Sequence, residues 1–348
     1  MLIIKTSVIG HNTKFPKAVY LKKSASLTSI CKMPRTKNLF YCFFLLLCTS
    51  TALVHAQHQE EALSLEIENG SVKGTLLIPK TDKKVPIALI DAGSGPTDRN
   101  GNNMMMTNNH LKLLAEGLAE KGIASLRYDK RGVGKSALQN FNEQDLRFED
   151  YANDAIGWLK KLQSYTRFSK LVLVGHSEGS LLGMLACQQM KVDQFISLAG
   201  AGQNASALLK EQLEKQSPSL LEEALPIFEK LEQGETVEEV PMALFSIFRP
   251  SVQPYMISWI KYDPKVEIAK LQVPILLVHG TTDIQLELSE AKLLSEGNPK
   301  AQMEVIEGMN HILKIADEAY LPNLQTYSNP NLPLAAGLTE LLAAFILD

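Results

Sequence analysis

No uninterrupted apolar run in these 348 residues reaches the roughly 20 that a membrane-spanning helix needs; the longest, Leu39 to Val54, is broken by Thr49, Ser50 and Thr51. Stable insertion in a membrane is therefore not expected. Cysteine is scarce. Of four cysteines, Cys31, Cys42 and Cys48 precede residue 57, so Cys187 has no intramolecular partner beyond that point and a disulfide framework is excluded. Cys187 lies in a small-residue helical stretch and reads as an apolar filler. Acidic residues are missing from the first 56 positions, which hold eight of the 35 Lys and Arg. The remainder carries 27 basic and 38 acidic side chains, a formal balance of −11. Such a surface repels phosphate backbones and anionic lipid, so nucleic acid is not an expected partner. No His, Cys and Asp cluster has metal-ligand spacing, and neither a metal nor an organic cofactor is expected. Repeats and low-complexity tracts are also absent, and 45% hydrophobic with 21% charged residues is a globular composition.

The basic start and the interrupted apolar run make sense together as an export leader. Arg35 and Lys37 form a short positive region after Met33, Phe40 to Leu47 is the apolar stretch, and Val54-His55-Ala56 supplies small residues for cleavage before Gln57. Residues 1–32 are then an upstream extension from an early start codon, and 33–56 a signal peptide. Leu47, where a lipid-attachment site at Cys48 would need a small residue, favours soluble export to the periplasm or beyond.

Beyond the leader, apolar runs alternate with helical patterns. Leu63 to Ile67 and Gly74 to Ile78 read as strands joined through Asn69-Gly70. Val85 to Ile90, Ile123 to Tyr128, Lys170 to Val174, Phe195 to Leu198, Val273 to Val278 and Gln302 to Ile306 read as further strands. Helical patterns cover about 109–120, 148–162, 179–190, 288–295 and 334–346. Buried Val, Ile and Leu runs alternating with helices predict an α/β fold with a mostly parallel sheet covered on both faces. Between about 203 and 272 the alternation stops: helix-like segments at 208–215 and 220–233 are followed by a Pro and aromatic tract from Pro241 to Trp259. This predicts a helical cap, 203–272, inserted into a core made of 57–202 and 273–348. Phe248 and Trp259 in that tract are the expected roof of a substrate pocket.

Leu171 to Val174 runs straight into Gly175-His176-Ser177-Glu178-Gly179 and then into a Leu- and Ala-rich helix. Glycines flank the serine because a sharp strand-to-helix turn leaves no space for side chains, and the turn lifts Ser177 Oγ above the sheet. A serine hydroxyl is a weak nucleophile until a base takes its proton. Of the five histidines after residue 57, only His311, in the turn after the strand 302–306, comes late enough for the order serine, acid, histidine. Asp283, in the loop after the strand 273–278, is the expected carboxylate partner of that base, with Glu287 as the alternative. The oxyanion formed in acyl transfer needs N–H donors. The amide of Glu178 is one, and the Gly-rich turn Ala92-Gly93-Ser94-Gly95 supplies the other, from Ser94 or Gly95.

Gly132-Val133-Gly134-Lys135-Ser136 ends like a phosphate-binding loop, but the first glycine of that motif falls on Asp129 and no helix follows at once, so no nucleotide site is expected. Gly175-His176-Ser177-Glu178-Gly179, the stretch Tyr128 to Ser136, and Ala92 to Gly101 together resemble the α/β-hydrolase superfamily, in particular bacterial esterases with an inserted helical cap. The resemblance implies an eight-stranded, mostly parallel sheet. It implies a structural role for Asp129 and Arg131 beneath the site. Where many relatives have His-Gly at the oxyanion loop, this sequence has Ala92-Gly93. The expected activity is hydrolysis of a small acyl substrate, a carboxylic ester, through an acyl-enzyme; a peptidase or thioesterase can use the same three residues. A binding protein on this scaffold would be expected to lack one of Ser177, Asp283 and His311, and all three are present in order.

Overall fold

Continuous apolar runs become strands buried from end to end, because helices cover both faces of the sheet they form. In the computed structural model, which describes residues 58–136 and 138–348, these are β4 (Ala124–Tyr128), β6 (Gln194–Leu198) and β7 (Ile275–Gly280), with β3 (Val85–Asp91) and β5 (Phe168–His176) nearly so. The expected upstream extension and leader lie outside the described residues. β1 (His58–Ile67) and β2 (Gly70–Pro79) form the hairpin, longer at both ends than the alternation alone indicates. With β8 (Gln302–Ile306) at the far edge, the eight strands run in the order β1-β2-β4-β3-β5-β6-β7-β8. Only the β1/β2 and β2/β4 pairs are antiparallel; every other pair is parallel.

Alternate residues of each strand enter two cores. Ile87, Leu89, Leu171 and Leu173 face one layer, with α2 (Phe148–Gln163), α3 (Glu178–Gln189), α8 (Pro264–Ala269) and α9 (Leu288–Gly297) contributing; Ala88, Ile90, Val172 and Val174 face the other, with α1 (His110–Glu120) and α11 (Leu338–Leu347). Each fully buried Leu, Ile or Phe there contributes on the order of 1.5–3 kcal/mol. Cys187 is partly buried against the first layer. The C-terminal helix begins at Leu338, later than the pattern suggests, because Gly337 takes a left-handed φ of 84° at its start.

The chain leaves the sheet after β6 and returns at β7. Between them lie α4 (Ala205–Gln216), α5 (Pro218–Glu232), α6 (Phe245–Phe248), α7 (Gln253–Trp259) and α8. The Pro and aromatic tract is thus two short helices, α6 and α7, interleaved with two single 3-10 turns. Residues of α4 to α7 build a third, separate core around Leu213, Phe228, Leu231, Leu244 and Phe248. α8 packs elsewhere: Ile268 and Leu271 belong to the core beneath the sheet. α10 (Tyr320–Thr326), a seven-residue helix carrying Pro322, escapes the sequence pattern because it is too short for a period to register.

Candidate active site

β5 ends in the turn that carries Ser177. The residue is held at φ 55°, ψ −121°, strained for a side chain with a Cβ, and a hydrogen bond from its N–H to the Leu198 carbonyl (2.9 Å) pins it to β6. The flanking glycines are required sterically. A Cβ on Gly175 would lie 2.3 Å from the Gly179 carbonyl oxygen, and one on Gly179 would lie 2.5 Å from that of Asp91.

The sheet delivers two further groups to this turn. His311 Nε2 lies 3.0 Å from Ser177 Oγ, and His311 Nδ1 lies 2.8 Å from Asp283 Oδ2. A ring whose Nδ1–H donates to the carboxylate presents a lone pair at Nε2, the form that accepts the serine proton. Asp283 is fixed on its other side, where Oδ1 accepts the Gln285 and Leu286 amides. Burial raises the cost of its charge, but His311, His279 and the Leu286 amide outweigh that and hold the carboxyl below its ordinary range. Glu287, the alternative acid, is spent on Lys215 at the surface.

His311 is braced by residues that sequence reasoning passed over. Its own carbonyl accepts a hydrogen bond from His176 Nε2 (2.7 Å), and His176 Nδ1 lies 3.4 Å from His110 Nε2. His176 cannot act as the base, as the turn geometry implies, but period-2 alternation puts it on the opposite face to the strand's neighbouring residues, where it reaches the base loop. Burial and the neighbouring His311 push the His176 imidazole down to about 3, so it is neutral. Asn310 Nδ2 donates to Asn323 and Thr326 of α10, which ties the loop to the helix that the periodicity missed.

Ser94 and Glu178 border the same cleft as Ser177 and His311. Gly93 lets the loop approach: a Cβ there would sit 3.1 Å from Ser177 Cβ. Beneath, Asp129 accepts from the Arg99 guanidinium and from the amides of Arg99 and Lys135, so the phosphate-loop lookalike is a turn wrapped on a carboxylate. Arg131 bridges to Asp150 and Asp154 of α2.

The side chain of Glu178 enters a network that no spacing announces. Lys130, buried, donates to Glu178 Oε1 (2.8 Å), and Tyr255 Oη, from α7, donates to the same oxygen at 2.8 Å. A bond between the insert and the residue that follows Ser177 is thereby built into the fold. Trp259, at the end of α7, stacks on Phe148 with ring centroids 5.7 Å apart and lines the cleft. Phe248 does not line it. The ring is fully buried in the insert's own core, edge-on to Phe228 at 5.0 Å, because α6 turns that side toward α5. The expectation that Phe248 roofs the pocket is corrected accordingly. Among the described residues no three His, Cys, Asp or Glu side chains are grouped as metal ligands would be.

A family model described as "Serine aminopeptidase, S33" matches residues 104–241, a span that includes Ser177 and ends before Asp283 and His311. Est1E from Butyrivibrio proteoclasticus superposes with a TM-score of 0.53 at 17% identity, covering 82% of this chain and 97% of that structure. The chain has the α/β-hydrolase fold. Esterase EstD of Thermotoga maritima is 28% identical over 256 residues, 71% of this chain and 59% of EstD. "Probable aminopeptidase YbaC" of Bacillus subtilis is 28% identical over 142 residues, 41% of this chain and 42% of YbaC. The chain thus spans less than two thirds of the length of either relative.

Proposed function

We propose that the protein hydrolyses carboxylic esters through an acyl-enzyme on Ser177. The observation that carries this is the continuous run from Ser177 Oγ to His311 Nε2 (3.0 Å) and from His311 Nδ1 to Asp283 (2.8 Å) at the strand ends of an α/β-hydrolase sheet. His311 takes the serine proton as Oγ attacks the acyl carbon, and the oxyanion turns toward the N–H groups of Glu178 and Ser94. His311 then gives that proton to the departing alcohol. Water, deprotonated by the same ring, attacks the acyl-enzyme, and the acid leaves as Ser177 regains its proton. The insert, residues 203–272 in the sequence reading, serves as a cap over this cleft through α4 and α7.

EstD's name supports ester hydrolysis; the family description and YbaC raise an aminopeptidase as the second reading. Recognition of a free amino terminus calls for a carboxylate with charge to spare. The carboxylates that line the cavities around Ser177 are Glu143 and Glu178, and each is already paired, with Arg249 and Lys130. That favours a neutral acyl group. The test is covalent labelling with a fluorophosphonate alongside ester turnover: Ser177→Ala should lose the label and several powers of ten in turnover while keeping its fold. Full labelling of another serine in the variant would overturn the assignment.

The leader at 33–56 supports export, with the mature chain starting at Gln57. Mass spectrometry of the exported protein checks it; a product that keeps residues 1–32, or is acylated at Cys48, would contradict it.

A further inference from the structure

Two cavities of different character open off the narrow cleft of about 40 Å³ at Ser177 and His311, and the residues each shares with that cleft give each a role. The larger, about 350 Å³, opens from the oxyanion loop at Ser94 and Gly95, passes Glu178, and runs under the insert between Ile247, Met256 and Trp259. Neither Ser177 nor His311 borders it. The smaller, about 100 Å³, lies on the other side of the serine and is bordered by Ser177 and His311 together with Asn103, Asn108, Gln285 and Tyr327.

Resting on the ester-hydrolase reading above, we infer that the acyl half of the substrate is bulky and apolar and fills the large cavity, while the alcohol half is small and polar and lies in the cleft beside His311. The chemistry dictates which half goes where. The departing alkoxide must come within hydrogen-bond reach of His311 Nε2 to take its proton, so the alcohol passes from the narrow cleft, too small to hold it, into the adjoining cavity that His311 also borders. The large cavity joins the cleft along Glu178, Leu209 and Trp259, which border both and not the smaller cavity, so the other substituent of the carbonyl carbon extends there. An apolar cavity of roughly 150 Å³ holds one benzene ring, and about 350 Å³ therefore accommodates a group of roughly twice that size. The ionised groups on its wall do not spoil this match, because Glu143 and Arg249 neutralise each other, Lys130 neutralises Glu178, and Asp150 and Asp154 hold Arg131. The amide side chains of Asn103 and Gln285 in the other cleft suit a hydroxylated alcohol.

A pair of isomeric esters tests the assignment without changing leaving-group class. One is the ethylene glycol monoester of naphthylacetic acid, bulky on the acyl side and polar on the alcohol side; the other is the glycolic acid ester of naphthylethanol, the same atoms with the ester reversed. Wild-type kcat/KM should favour the first by about tenfold or more. Val252→Phe and Leu146→Phe, each narrowing the large cavity from a different wall, should shrink that ratio toward one. Equal rates, or preference for the reversed ester, with fluorophosphonate labelling of Ser177 intact overturns the partition and leaves the hydrolase reading standing. Failure of wild-type Ser177 to label overturns the hydrolase reading, and the partition with it.

Discussion

Ser177 and His311 are 134 positions apart in the chain and 3.0 Å apart at their reacting atoms, so neither has a chemical role without the other. Substitutions at the two should therefore not multiply. His311→Ala should lower kcat about as far as Ser177→Ala, the double variant should lose little more, and Asp283→Asn should retain more activity than either. Single-turnover kinetics on the three variants and the double decide this; losses that multiply would show that the two residues do not act as one unit. These three residues were legible because each follows a strand visible in sequence, two of them continuous apolar runs, and the parallel order of strands brings their ends together. His176 and Lys130 were not. Their partners lie 135 and 48 residues away, and a buried hydrogen bond or ion pair leaves no local pattern. Removing one partner of such a pair strands the other charge at a cost of about 3–5 kcal/mol, so Lys130→Met alone should destabilise the fold strongly.

At the scale of elements, the insert splits into two kinds of residue that hydrophobicity cannot separate. Phe248 and Trp259 both read as apolar residues without a sheet to cover, yet α6 buries one in the insert's core and α7 brings the other to the cleft. Phe248→Ala should cost about 3–5 kcal/mol of the insert's stability through the cavity it leaves, without altering which acyl group is preferred. Calorimetry and an acyl-chain series measured below the unfolding temperature check both halves. A shifted preference with unchanged stability would place Phe248 back at the pocket. The break in α/β alternation coincides with the helices between β6 and β7, but it does not set α8 apart from the others. α8 carries no feature that distinguishes a helix packed on α3 from one packed on α4, and only the contacts of Ile268 and Leu271 reveal it.

For the whole molecule, buried ionisable groups set opposite responses to acid. Burial, opposed by Lys130 and by a hydrogen bond from Tyr128, raises the Asp91 carboxyl to about 7, so between the unfolded value of 3.8 and about 7 the fold keeps a proton that the unfolded chain gives up. Stability from Asp91 is complete below 3.8 and is lost as pH rises through 7. His176 has the opposite sign: held near 3 against an unfolded 6.5, it costs stability as pH falls through that window, and buried His110 acts in the same direction. Asp91→Asn removes the opposing contribution, so its loss of stability toward acid should be steeper than wild type by up to about 1.4 kcal/mol per pH unit between 4 and 6.5. Urea midpoints across that range measure it, and an unchanged slope would show that Asp91 is ionised in the fold.

The central claim is that an acyl group resides on Ser177 between two chemical steps. Acid quenching during the first turnover of an activated ester, followed by mass spectrometry of the digested protein, observes that species directly. The account predicts that the peptide carrying Ser177 gains the mass of the acyl group, in an amount matching a burst of released alcohol. Turnover with no adduct at Ser177, or with the acyl group on another residue, would contradict it.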